Sequence, residues 1–125
     1  MKTETDEIVL TLPRDPRFYD IAHLVLGGLG ARADLTLDHL ADLHLALDGL
    51  LPRENDEREV SVILRFRDET LVTSVGPLDS EVVQREFASN QEMGLRRVLE
   101  TVADRVELSE REGAHWVELT KDFRH

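Results

Sequence analysis

Apolar residues change their spacing several times along this 125-residue chain, and each change marks an element. Glu7-Ile8-Val9-Leu10-Thr11-Leu12 is a short apolar run closed by Pro13, which predicts a strand. Pro16 marks a turn. Phe18, Ile21, Val25 and Leu29 then recur at intervals of three and four, predicting a helix over about 18–32. Thr36 is placed to cap a second helix, with Asp38 in its first turn, where a carboxylate suits the helix dipole. Leu37, Leu40, Leu43, Leu47 and Leu50 form its expected buried stripe, with Leu51 beside it, and Pro52 stops it. A charged turn follows. The β-rich runs 60–66 and 70–75 flank Arg67-Asp68-Glu69 and predict a hairpin that Pro77 ends. Residues 79–87 suggest a short polar helix. Residues 93–102 suggest a last helix with Met93, Val98, Leu99 and Val102 facing inward and Leu95 beside them. Two closing strands, 104–109 and 115–119, are joined at Glu112-Gly113. The order β-α-α-β-β-(α)-α-β-β predicts one α+β domain without repeats or linkers.

Gly27, Gly28 and Gly30 each weaken the first helix by about 1 kcal/mol relative to alanine, a cost that points to close packing of another backbone. The formal net charge of −11 excludes an electrostatic nucleic-acid binder and suits a basic or mixed-charge partner. The chain has no cysteine, hence no disulfide and no thiolate metal site. Its acidic, polar start is unlike a signal peptide. Its longest apolar run, 21–31, is too short to span a bilayer. A cytoplasmic protein with no membrane association is expected.

Residue patterns for catalysis are sparse. His39 and His44 lie five apart on a helix and point to different faces, whereas a helical metal pair needs three or four. There is no HExxH and no GxSxG elbow. Gly27-Gly28-Leu29-Gly30 does not match GxGxxG and lies within a helix. The 26 acidic residues are scattered, without a pair that suggests general acid–base work. Trp116, on the last strand, is expected to be core or interface.

Several strings, in order, resemble the RsbW-type anti-sigma factor serine kinases of the GHKL (histidine-kinase-like) ATPase superfamily. They are the opening strand 7–13, "IAHLVLGGLGARADLTLDHLADLHLALDGLL", "EVSVILRFRDETLVTSVG", "MGLRRVLETVADRVEL" and "GAHWVELTKDF". The resemblance implies a two-layer α/β sandwich of the GHKL (Bergerat-like) type, with helices on one face of a mixed, mainly antiparallel sheet. It also implies where chemistry would lie. The family places a glutamate and an asparagine one helical turn apart for Mg²⁺, an Asp-x-Gly-x-Gly loop for adenine, and a further glycine motif for phosphate, the apparatus of phosphoryl transfer.

At the matching positions this chain departs from that pattern. The glutamate position falls on Gly49 and the asparagine position on Arg53; sliding by one gives Asp48 and Pro52. Asn55 is preceded four residues earlier by Leu51. Glu86 and Asn90 have the spacing but fall in the lid region. The adenine-reading aspartate is Ser74, Gly76 survives, and the second glycine is Leu78. Losing that aspartate removes a charge-assisted hydrogen bond of about 1.5–3 kcal/mol. Gly94-Leu95 remains of the phosphate motif, preceded by Glu92, whose charge would repel a triphosphate.

The expectation is therefore a vestigial nucleotide pocket (Asp48, Gly49, Arg53, Ser74, Gly76, Gly94) in a non-catalytic regulatory module that has lost ATP and Mg²⁺ binding. Its partner would be a sigma factor, an anti-sigma antagonist or another signalling domain. In the family an arginine of the first helix takes part in partner binding; here that position is His23, whose titration would make binding pH-dependent near neutrality. The alternative is a divergent ATPase or kinase acting on a regulatory protein through Asp48 or Asp79. Homodimerisation, common in the family, is a further possibility, with Trp116 at the interface.

Overall fold

The computed structural model describes residues 6–33, 35–52, 56–79, 81, 83 and 95–122. Strand β1 (Asp6–Arg14) leads through a 3-10 turn (Pro16–Phe18) to the helices α1 (Tyr19–Ala33) and α2 (Leu37–Leu50). Strands β2 (Asp56–Arg67) and β3 (Thr70–Leu78), helix α3 (Leu95–Val102) and strands β4 (Arg105–Arg111) and β5 (Ala114–Asp122) complete the described elements. Between β3 and α3, Glu81 and Val83 are helical; the rest of the expected 79–87 helix lies outside the described residues, as does Met93.

The strands form one five-stranded sheet in the order β1-β2-β3-β5-β4. The expected mixed sheet is corrected here: every pairing among the described residues is antiparallel. The α1–α2 hairpin returns the chain so that β2 runs back along β1. Strands β3 and β4 run the same way, but β5 lies between them, so the parallel contact their crossover could make does not form.

Strand pairing sorts the side chains. Leu10, Val62, Val75 and Val117 stand opposite one another across four strands, and so do Ile8, Leu64, Thr73 and Leu119. These rows join Leu26, Leu43, Leu47 and Leu99 of the helices in one core. The alternate rows, which carry Val9, Ile63 and Ser74, line the other face of the sheet, where Val9 is exposed. A layer of helices against one face of a sheet is what the element order implied.

Several inward positions differ from the periodic reading. In α1 the buried residues are Tyr19, Ala22, Leu26 and Leu29, while Phe18 and Ile21 are exposed. Leu24-Val25-Leu26 is apolar throughout, so two helical registers fit the sequence; contact with the sheet selects the one through Leu26. Leu37 is the first residue of α2 and projects into solvent, although Leu43, Leu47, Leu50 and Leu51 are buried and Leu40 is half-buried as expected. Thr36 caps α2 by accepting from the His39 N–H at 3.1 Å. In α3 the inward stripe is Leu99 and Val102, with Leu95 half-buried; Val98 is exposed, because the two buried positions are three apart and 98 falls beside them. Of the α1 glycines only Gly30 meets close packing: a Cβ there would stand 2.6 Å from Leu40 Cδ2, whereas Gly27 and Gly28 have nothing within 4 Å.

Two strands run past prolines that were expected to end them. β1 continues to Arg14 and β3 through Pro77 to Leu78. Arg14 is buried at 1% exposure. Its guanidinium donates to the carbonyl oxygens of Glu59 (3.3 Å) and Pro77 and to Asp79 Oδ1 (3.3 Å). These bonds hold the ends of three strands together and satisfy a charge that would otherwise be costly to bury.

Candidate functional site

Helices α1 and α2 are antiparallel neighbours. Gly30 meets Leu40 near the connection, and at the far end the Tyr19 hydroxyl donates to the Pro52 carbonyl at 2.5 Å. Between these two contacts His44 and Asp48, one turn apart on α2, face His23 of α1. The His23 Nε2–H donates to Asp48 Oδ1 at 2.8 Å. His23 Nδ1 and His44 Nδ1 meet across the groove, with ring centroids 4.5 Å apart and planes inclined by 36°. Once Nε2 of His23 carries a proton, its Nδ1 is the acceptor and His44 Nδ1–H the donor. Burial holds the His44 pKa below the ordinary 6.5, and the neighbouring His23 adds to this; Asp48 opposes it. Beside this cluster lies a cleft of about 430 Å³ lined by Pro16, Tyr19, Asp20, His23, Asp48 and Leu51.

His23, expected as a partner contact, is thus first of all an inter-helix residue, 21% exposed at its side chain. His44 meets His23 of the neighbouring helix, and His39 takes no part in this cluster. The usable signal was His44-x-x-x-Asp48, one helical turn, but nothing local indicates that His23 lies opposite.

Of the positions matched to the nucleotide pocket, the described ones, Asp48, Gly49, Ser74 and Gly76, lie on different faces. Asp48 turns toward α1. Gly49 is exposed on α2, and a Cβ there would stand 2.6 Å from Leu95 Cδ1. Ser74 lies on the sheet face away from the helices, where its hydroxyl donates to Glu118 Oε2 at 3.3 Å. Gly76 shares that face, and a Cβ there would fall 2.4 Å from the indole of Trp116. Trp116 is half-buried, with the Arg111 guanidinium 4.7 Å above its ring, so it belongs to the open sheet face and not to the main core. Arg53, Gly94, Asn55, Glu86 and Asn90 lie outside the described residues. Asp79, the other acid considered for catalysis, accepts from Arg58 at 2.6 Å and from Arg14 at 3.3 Å. The hydrogen bond from Arg58 is the largest cause of its lowered pKa, and the charges of both arginines add to it. A carboxylate held this way is a weak base.

Among the exposed residues of the helical hairpin, which include Asp20, Asp38 and Asp48, are four large apolar ones. Leu24 is 74% exposed and Leu37 84%; Ile21 and Leu45 are also exposed. Gly27 and Gly28 leave the backbone of α1 open beside Leu24.

No family model matches the chain. The serine-protein kinase RsbW of Bacillus velezensis is 31% identical to it over 71 residues, which cover 53% of this chain and 44% of that protein. The matched part is thus less than half of the relative's length. Among the described residues no helix is long and apolar enough to cross a membrane. The similarity supports at most a distant relationship to that kinase.

Proposed function

We propose that this chain is a non-catalytic regulatory module of the histidine-kinase-like fold that binds a protein partner, a sigma factor, an anti-sigma antagonist or another signalling domain, through the outer face of its helical hairpin. The observation that carries this reading is the exposure of Leu24, Ile21, Leu37 and Leu45 on adjoining helices, next to the uncovered backbone of Gly27 and Gly28. Large exposed apolar side chains such as Leu24 and Leu45, at one level of the two helices, are the candidates for an interaction surface. The net charge of −11 suits a partner with a basic rim around an apolar centre. The likeness to RsbW supplies the class of partner.

Two features support the loss of nucleotide binding. The Gly49 position offers no carboxylate for Mg²⁺, and Leu95 takes up the adjacent space. Ser74 and Gly76 face away from α2, so an adenine reader and a metal site would not share one pocket. The catalytic alternative draws on the relative's name, a serine-protein kinase. It would need Asp48, which is engaged with His23, or Asp79, which is engaged with two arginines.

Titration calorimetry of the chain against purified sigma factors from its source organism tests the partner reading, and saturable binding is the expected result. Thermal unfolding with 1 mM Mg²⁺–ATP tests the other half. A ligand at a hundred times its Kd stabilises by about 2.7 kcal/mol, a shift of several degrees. No shift is expected; a clear ATP-specific shift would favour the kinase alternative.

A further inference from the structure

Two imidazoles and a carboxylate lie in one line between α1 and α2, and the number of protons they hold decides whether the line is bonded. Asp48 accepts from His23 Nε2–H at 2.8 Å, which leaves His23 Nδ1 as an acceptor directed at His44 Nδ1. With both rings neutral, His44 donates to His23. With one extra proton on the pair, the bond persists and Asp48 balances the charge. With two, each Nδ1 carries a hydrogen; two donors face each other and two like charges share a groove.

We propose that Asp48, His23 and His44 form a proton-operated latch joining α1 to α2, closed while either Nδ1 is free of a proton and opened when both rings are imidazolium.

The surroundings make the second proton the difficult one. Asp20 lines the same cleft on α1, and the Tyr19 hydroxyl beside it is committed to the Pro52 carbonyl. Of the nearby charges, Arg17 is taken up by Asp15 at 2.5 Å, and Asp42 of α2 meets Lys121 at 3.6 Å. Asp48 is therefore the carboxylate that favours a proton on the pair, while partial burial of His44 and repulsion from His23 oppose one on His44. Two rings this close titrate as one coupled pair. Opening the latch would remove the His23 contacts that join α1 to α2 beside the cleft, leaving the Tyr19–Pro52 bond in place, and would alter the apolar face assigned above to a partner. That consequence rests on the proposed function; the latch itself concerns the free chain alone.

Nitrogen-15 NMR of the imidazoles, recorded on the free chain between pH 8 and 4.5, tests it. In the unaltered protein His23 and His44 are expected to titrate in two linked steps. Backbone amides of α1 and α2 around the groove should move with the second step. In His23→Gln the remaining His44 should titrate at higher pH than in the unaltered chain, and the coupled amide transition should disappear. Independent titration of the two rings, with the groove amides unmoved, would overturn the latch. So would an amide transition that persists unchanged in His23→Gln. If that variant does not fold, the linked or unlinked titration of the unaltered chain decides the matter alone. A failed search for a sigma-factor complex would leave this result untouched.

Discussion

Leu95 of α3 lies where a side chain on Gly49 of α2 would go, with only 2.6 Å between its Cδ1 and the position of a Cβ on that glycine. The contact gives a packing reason for the one glycine of this helix. Alanine is favoured over glycine inside a helix by about 1 kcal/mol, so Gly49→Ala would stabilise α2 if space allowed. Leu95 must move to admit it. Gly49→Ala is therefore expected to be more favourable in a Leu95→Ala background than in the unaltered protein, by about 0.5 kcal/mol or more. Urea unfolding of the four proteins of this double-mutant cycle measures the difference; additivity would mean that Leu95 moves freely and does not hold the site.

On the opposite face of the sheet, Gly76 is matched to Trp116 in the same way, but the neighbour is a rigid ring. A Cβ at position 76 would stand 2.4 Å from Trp116 Cδ2 and 2.7 Å from Cγ. Gly76→Ala is expected to cost about 1–3 kcal/mol, the usual range for overpacking. It should also displace the indole from beneath Arg111. The chain has one tryptophan, so its fluorescence reports this site alone. A red-shifted emission with lowered urea resistance is the expected pair of results.

What the sequence made legible was mostly local. Alternation in 60–66 and 70–75, the capping threonine at 36 and the leucine spacing of α2 all describe short-range physics, and they placed the elements correctly. The register of α1 was not legible, because Leu24-Val25-Leu26 satisfies two helical faces and only the sheet chooses between them. Nor was the burial of Arg14, which looks like a turn residue after Pro13 until Pro77 and Asp79 come to it from sixty residues away or more. The same limit applies to the candidate site. His44 and Asp48 could be paired by spacing, whereas His23 joins them only through the packing of the two helices. The resemblance named positions 49 and 74 as one pocket; strand parity puts Ser74 on the face away from α2.

Asp79 should contribute acid sensitivity. Its pKa is held below the ordinary 3.8, chiefly by the hydrogen bond from Arg58, with further support from Arg14. A carboxylate whose folded pKa is depressed contributes stability that is present above the unfolded value and is lost as pH falls through the folded one. The contribution is therefore intact at neutral pH and declines below about pH 4. Asp79→Asn should flatten that part of the stability curve. At pH 7 it should also cost about 1–3 kcal/mol, because Arg14 is buried and loses its charged partner while keeping two carbonyl acceptors. Thermal unfolding of both proteins from pH 7 to 3 measures the two effects together.

Leu24 gives the sharpest test of where a partner docks. It is 74% exposed, so replacing it should hardly disturb the fold. Lysine has nearly the helix propensity of leucine, so Leu24→Lys should leave stability within about 0.5 kcal/mol. The same change removes an apolar anchor and sets a positive charge against a partner expected to be basic at its rim. Affinity for a sigma-factor partner should fall by about tenfold or more, the scale of losing a central apolar contact. Val9 supplies the control: it is 57% exposed but lies on the sheet face away from the helices. Val9→Lys should leave binding unchanged in the same calorimetric titration. If Val9→Lys abolishes binding and Leu24→Lys does not, the partner sits on the open sheet face around Val9, and the helical hairpin is not the docking surface.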